Sequence, residues 1–201
     1  MKKFFYISLI AAALLLIAGC AKPPEVEMNA AGAAIEAART AEAETYAPQA
    51  YKMAMDTLNA AKAAKVEADG KFALFRSYTT AKNLFVSAQA LGQKAAGDAA
   101  AEKERVKAQV ADMMAQCAAA LATADSALAK APVGKGNKAD IELIKNDLTA
   151  INNAFADAQK DNDAGKYAIA RTKFDNVMKR AMAIQQEIAN AAARKNAPKK
   201  R

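Results

Sequence analysis

Two thiols, Cys20 and Cys117, are the only cysteines in this 201-residue chain, and no histidine accompanies them. A thiol becomes a nucleophile when a base or a cationic neighbour draws off its proton. The commonest base for that task, which is also the commonest metal ligand, is therefore missing. The carboxylates are scattered along stretches of helical spacing, on faces that read as solvated. Two segments resemble ion-binding loops only at first sight. Asp161-Asn162-Asp163-Ala164-Gly165 begins like a calcium loop, but such a loop needs glycine sixth and glutamate twelfth. Here glycine is fifth and Thr172 is twelfth, so the segment reads as a polar turn between helices. Gly134-Lys135-Gly136-Asn137-Lys138 lacks both the glycine spacing and the Ser or Thr of a phosphate-binding loop, and reads as a linker. No catalytic residue, metal or cofactor is expected. The chemistry that remains belongs to Cys20.

That cysteine closes an apolar leader. Met1-Lys2-Lys3 makes a small positive start, and Phe4 to Ala18 follows without a charge. The run is shorter than the roughly 20 residues that a membrane-spanning helix needs. A positive start, a short apolar stretch and small residues at its end make a secretory signal peptide, here residues 1–19.

The segment Leu16-Ile17-Ala18-Gly19-Cys20 resembles a bacterial lipobox. Ile17, Ala18 and Gly19 match its apolar-small-small pattern, and Cys20 matches its cysteine. The resemblance implies that the Cys20 thiol takes a diacylglycerol, that cleavage falls before it, and that the new amine is acylated. The alternative is an ordinary signal peptide in which the cysteine is incidental. Each buried CH₂ contributes about 0.8 kcal/mol, and two chains hold where one holds only marginally. A lipidated Cys20 would therefore fix the protein to a membrane by its acyl chains. Ala21 stands where lipoproteins kept in the inner membrane often carry Asp. By resemblance to that sorting rule, the address is the bacterial cell envelope, at the outer membrane and facing the periplasm.

Composition says how the remainder must hold together. Alanine dominates the 53% hydrophobic fraction; it is the best helix former but buries little surface. With Cys20 lipidated, Cys117 has no partner within the chain. It lies at helical spacing with Met113, Met114 and Leu121, which reads as a small buried apolar residue. The other reading is a bridge between two copies. The formal charge of +8 falls to +6 once Lys2 and Lys3 are removed. Arg194, Lys195, Lys199, Lys200 and Arg201 supply five of the remaining charges, so the excess is a local tail.

The elements that would carry these features are helices. Ala21 to Pro24 reads as a short tether. From Glu25 an alanine-rich helix with a weak stripe is expected, partly frayed. Thr45-Tyr46-Ala47-Pro48 reads as a break and restart, with Pro48 suited to a first helical turn. Tyr51, Met55, Leu58 and Ala61 then share a face, and Asp69-Gly70 is a stop. Phe72 to Lys130 reads as one long helix, bent near Gly92 and Gly97, that would span roughly 85 Å at about 1.5 Å per residue. Its stripe is Leu74, Tyr78, Ala81, Phe85 and Ala88, and later Val110, Met114, Cys117, Leu121, Ala124 and Leu128. Beyond the linker, Asp140 reads as the cap of a helix with Ile141, Ile144, Leu148, Ile151 and Phe155 on one face. Asp163-Ala164-Gly165 turns the chain into a last helix. Its seam runs through Tyr167, Ala170, Phe174, Val177, Ala181, Ile184, Ile188 and Ala191, alternating by threes and fours as in a coiled coil.

The expected fold is all-α: a signal peptide followed by long antiparallel helical hairpins, coiled-coil-like or bundled. The divisions are 1–19 for the leader, 20–24 for the lipidated tether, 25–131 for a first hairpin with one long helix, 132–139 for the linker, 140–193 for a second hairpin and 194–201 for the basic tail. The pattern Tyr-x-x-Ala-Lys/Arg-x-x-Phe occurs at Tyr78–Phe85 and again at Tyr167–Phe174, which suggests one hairpin on each side of Pro132. Tyr46-Ala47-Pro48, Leu58, Ala61, Tyr78 and Ala81 resemble the alanine-rich helical lipoproteins grouped as domain of unknown function 4398, over about Ala41 to Ala96. In that family a Gly-Asp turn precedes the tyrosine. Here Arg76-Ser77 stands there and the glycine lies at Gly70, so a rebuilt loop is expected. The resemblance supplies no active-site residue.

Two functions compete on these observations. The first is a non-catalytic, lipid-anchored envelope protein serving as a spacer or as a docking surface for other envelope proteins or the cell wall, with a homo-oligomer left open. The alternative is a periplasmic module that binds wall polymer, anionic lipid or a soluble ligand through an inter-helix groove and the basic tail. Five cations in eight residues attract anionic surfaces; the other reading of that tail is a solvated end. An exported chain does not meet nucleic acid, despite a pI near 9.4.

Overall fold

The computed structural model describes residues 22–134 and 136–195, with side chains described as far as Ala193. The leader, the lipobox residues with Cys20, and residues 196–201 lie outside it. The described elements are α1 (Glu25–Thr40), α2 (Ala43–Tyr46), α3 (Pro48–Asp69), a 3-10 turn (Ala73–Phe75), α4 (Thr79–Lys130), α5 (Lys138–Asp163) and α6 (Tyr167–Lys195). No strand occurs among the described residues, so the chain is all-α as expected. It forms two compact units that divide between Glu102 and Lys103, inside α4. The 132–139 segment is therefore not where the chain parts.

The first unit packs α1, α3 and the first part of α4. Its core joins Ala31 and Ile35 of α1, Ala54, Leu58 and Ala61 of α3, and Ala81, Phe85 and Ala88 of α4. Tyr51 and Met55 are half-buried against it, on the face their spacing predicts. The α1 helix is complete rather than frayed. Glu25 and Glu27 lie in its first turn and Arg39 in its last, matching the helix dipole at both ends. Alanine suffices for its stripe because the small side chains let the backbones come close. A Cβ on Gly92 would stand 3.0 Å from the Ala34 carbonyl carbon. Gly92 is thus a contact point between α1 and α4, while Gly97 faces open space. The expected hairpin is a three-helix unit. The chain leaves α1 through Glu42, whose φ of 59° is left-handed, and α2 turns Tyr46 into the core.

The second unit packs α5, α6 and the later part of α4. Gly165, at φ 74°, ends α5 in a Schellman turn. The Lys166 N–H donates to Asp161 O at 2.8 Å and the Gly165 N–H to Asn162 O at 2.9 Å, a pattern that satisfies the last carbonyls of the helix. Ala170, Phe174, Val177, Ala181, Ile184, Ile188 and Ala191 are all buried, as the seam predicts, and Tyr167 is half-buried. Phe155 meets Phe174 edge to face at 5.5 Å. The α4 helix closes this hairpin: the Cys117 thiol donates to Phe174 O at 3.3 Å, and Gln185 Nε2 donates to Ala120 O at 2.9 Å.

The described residues of the 132–139 segment form an ordered corner. Asn137 is 1% exposed, the one polar side chain in the buried set of the described residues. Its Nδ2 donates to Pro132 O at 2.8 Å and to Ala191 O at 3.2 Å, and its Oδ1 accepts from the Gly134 N–H at 2.8 Å. The α5 helix consequently starts at Lys138, two residues before the expected cap at Asp140.

Candidate functional site

The described chain begins at Lys22, two residues after Cys20, and enters α1 without a spacer. Pro23 O accepts from the Glu25 N–H and Pro24 O from the Met28 N–H, both at 2.9 Å. Pro24 is buried. Pro24 is therefore the N-cap of α1, which starts at Glu25.

The loop between α3 and α4 lies at the same end of the first unit. Lys22, Pro23 and Pro24 border a shallow hollow with Arg76, Ser77 and Tyr78. Lys82 in the first turn of α4 pairs with Glu27 in the first turn of α1 at 3.0 Å, which holds the Glu27 carboxyl below its ordinary range. Tyr78 anchors the start of α4: its hydroxyl donates to Asp69 Oδ1 at 2.6 Å. Lys65 holds the other oxygen of Asp69 at 2.8 Å. The Lys65 hydrogen bond, followed by that of Tyr78, lowers the Asp69 carboxyl pKa. The same carboxylate raises the Tyr78 phenol and the Lys65 ammonium.

Arg76 shapes the loop. Its guanidinium donates to Asp69 O at 3.0 Å and to Lys71 O at 3.0 Å through Nη2. With those carbonyls satisfied, the Ala73–Phe75 turn stands outward. Phe72, Leu74 and Phe75 are 69%, 59% and 79% exposed. The expected long helix therefore begins at Thr79 rather than Phe72, and Leu74 is not part of the Tyr78–Ala88 seam. The remaining seam residues, Tyr78, Ala81, Phe85 and Ala88, are all buried.

The sequence placed its functional residues elsewhere. Cys20 and the lipobox residues Ile17, Ala18 and Gly19 lie outside the described residues, as do Lys199, Lys200 and Arg201. Arg194 and Lys195 fall in the last turn of α6, with side chains outside the description. Cys117 is fully buried and free, and burial pushes its thiol pKa up, away from the thiolate a nucleophile needs. Among the described residues no three His, Cys, Asp or Glu side chains converge as metal ligands would. No described helix is long and apolar enough to cross a membrane. Asp161 does bind a cation, but a side-chain one: Lys173 at 2.6 Å.

No known protein family's model matches the chain, and no curated protein and no solved structure matches it. The resemblances to the lipobox and to the alanine-rich lipoproteins rest on the residues quoted for them.

Proposed function

We propose that this chain is a non-catalytic lipoprotein of the bacterial envelope, held by acyl chains on Cys20 at the outer membrane and facing the periplasm. Its helical units serve as a spacer or a docking surface for envelope proteins or the wall. The observation that carries the reading is the join between motif and fold. Cys20 ends a lipobox-like segment, and α1 starts at Glu25. Five residues reach at most about 18 Å when extended. A lipid on Cys20 would thus hold the first unit close to the bilayer, with no long linker on which to wander. The body that follows is built from seams of alanine and a few larger apolar residues. Such seams leave most of each helix surface polar and available to partners.

Replacing Cys20 with Ala, followed by acyl labelling and cell fractionation, tests the reading. The expected result is loss of the acyl label and release from the membrane fraction. A labelled or firmly membrane-bound C20A protein would refute it.

A further inference from the structure

The tether end of the first unit carries more apolar surface than a soluble helix bundle needs. Eleven large apolar side chains are exposed among the described residues, and five of them belong to elements that begin or end here: Val26, Val66, Phe72, Leu74 and Phe75. Val26 lies in the first turn of α1 and Val66 in the last turn of α3. The other three stand on the loop that Arg76 braces. Scattered exposed apolar residues are ordinary, but a gathered patch marks an interaction surface. The rings of Phe72 and Phe75 are 6.4 Å apart and tilted, so they form one apolar tip rather than two isolated side chains.

We infer that this loop inserts into the interfacial layer of the same bilayer that holds Cys20, as a second and non-covalent membrane contact. The inference rests on the lipid-anchor reading for its source of proximity. Pro23 and Pro24 border the same hollow as Arg76 and Tyr78, so a chain tied to lipid two residues before Lys22 brings the loop to the headgroups. The occupant is lipid rather than protein because the bilayer is the one partner whose position the tether fixes. An apolar tip flanked by cations suits the boundary of headgroup and acyl chain; here Lys71 and Arg76 flank it.

Charge does not drive the contact. The cations at this end are Lys22, Lys65, Lys71, Arg76 and Lys82, five against the four carboxylates Glu25, Glu27, Glu67 and Asp69. Three of the pairs are formed: Lys65 with Asp69, Lys71 with Glu67, and Lys82 with Glu27. With so little net charge the contact must come from apolar burial. It should therefore persist on zwitterionic lipid and in salt near about 0.5 M, where exposed charges are screened within a few ångströms.

The chain has no tryptophan, so one introduced indole reports on one place. Phe75→Trp and, as an exposed control near the start of α3, at the far end of that helix from the loop, Met53→Trp are prepared in the full lipidated chain. Each is mixed with phosphatidylcholine vesicles carrying lipids brominated near the headgroup. The expected result is a blue-shifted Phe75→Trp emission quenched several-fold more than that of Met53→Trp, with the quenching unchanged in high salt. Equal, weak quenching of both indoles while the protein floats with the vesicles would overturn the loop contact and leave the lipid anchor standing. Protein that fails to float would instead refute the anchor, and with it the proximity on which the loop contact depends. A blue shift that arises without vesicles and grows with protein concentration would assign the tip to contact between copies and overturn the inference.

Discussion

Asn137→Ala should destabilise the second unit far more than a linker substitution can. The side chain is 1% exposed and makes three hydrogen bonds, to Pro132 O, Ala191 O and the Gly134 N–H. Each such bond contributes about 0.5–1.5 kcal/mol net, and a buried group left unpaired loses its desolvation energy as well. The sum is about 2–4 kcal/mol. With a urea slope of about 2 kcal/mol/M the affected transition should move down by about 1–2 M. Far-UV circular dichroism in urea measures the shift, and the amides of Gly134, Asn137 and Lys138 should lose hydrogen-exchange protection alongside the carboxyl-terminal turn of α6. A substitution in a solvated linker stays within about 0.5 kcal/mol. An Asn137→Ala shift that small would refute the corner described here and restore the segment to a simple connector.

The glycines of α4 should separate in a thermal melt. Gly92→Leu drives a side chain into the Ala34 backbone and should cost about 1–3 kcal/mol, whereas Gly97→Ala, facing open space, should gain up to about 1 kcal/mol from helix propensity. Cys117 should resist alkylation in the native protein, react fully in denaturant, and give no disulfide-linked dimer on a non-reducing gel; native reactivity would contradict its burial. The Tyr78–Asp69 bond needs a protonated phenol and an ionised carboxylate. The lowered Asp69 pKa places its stabilisation above the ordinary carboxylate range, lost as pH falls below about 4; the raised Tyr78 pKa places its share below about 10, lost as pH rises beyond. The stability difference between the native chain and Tyr78→Phe should be flat between those limits and shrink outside them. A difference independent of pH would show that the ring rather than the hydroxyl matters.

The fold was legible wherever a large apolar residue marked the helical period. Ile144, Leu148, Ile151, Phe174, Val177 and Ile184 announced α5, α6 and their shared face, and all are buried. Pro48 and Gly165 punctuated the chain where their backbone preferences are used. What escaped notice was packing carried by alanine. The stripe of α1 looks weak enough to leave the helix partly frayed, yet Ala31, Ala34 and Ala38 are buried, because short side chains permit close helix approach that hydrophobicity alone does not signal. The same alanines hide Ala95 and Ala99, buried within a stretch of α4 that reads as polar. Asn137 was missed because a lone amide beside two glycines has the composition of a linker; only its three partners, one of them 54 residues away, distinguish it. The apolar loop was missed because Phe72 and Leu74 can be placed on the same period as Tyr78. The signal against that was present: three large apolar residues within Lys71–Arg76, bounded by Gly70 and Ser77, crowd one turn more than an amphipathic helix does.

The anchor at Cys20 bears the weight of the functional account. Mass spectrometry of the mature protein, extracted from membranes and digested, reads its amino terminus directly. The first peptide should start at Cys20 and carry a diacylglyceryl thioether with an acylated amine. A mature start at any other residue, with an unmodified Cys20 or none at all, would contradict it.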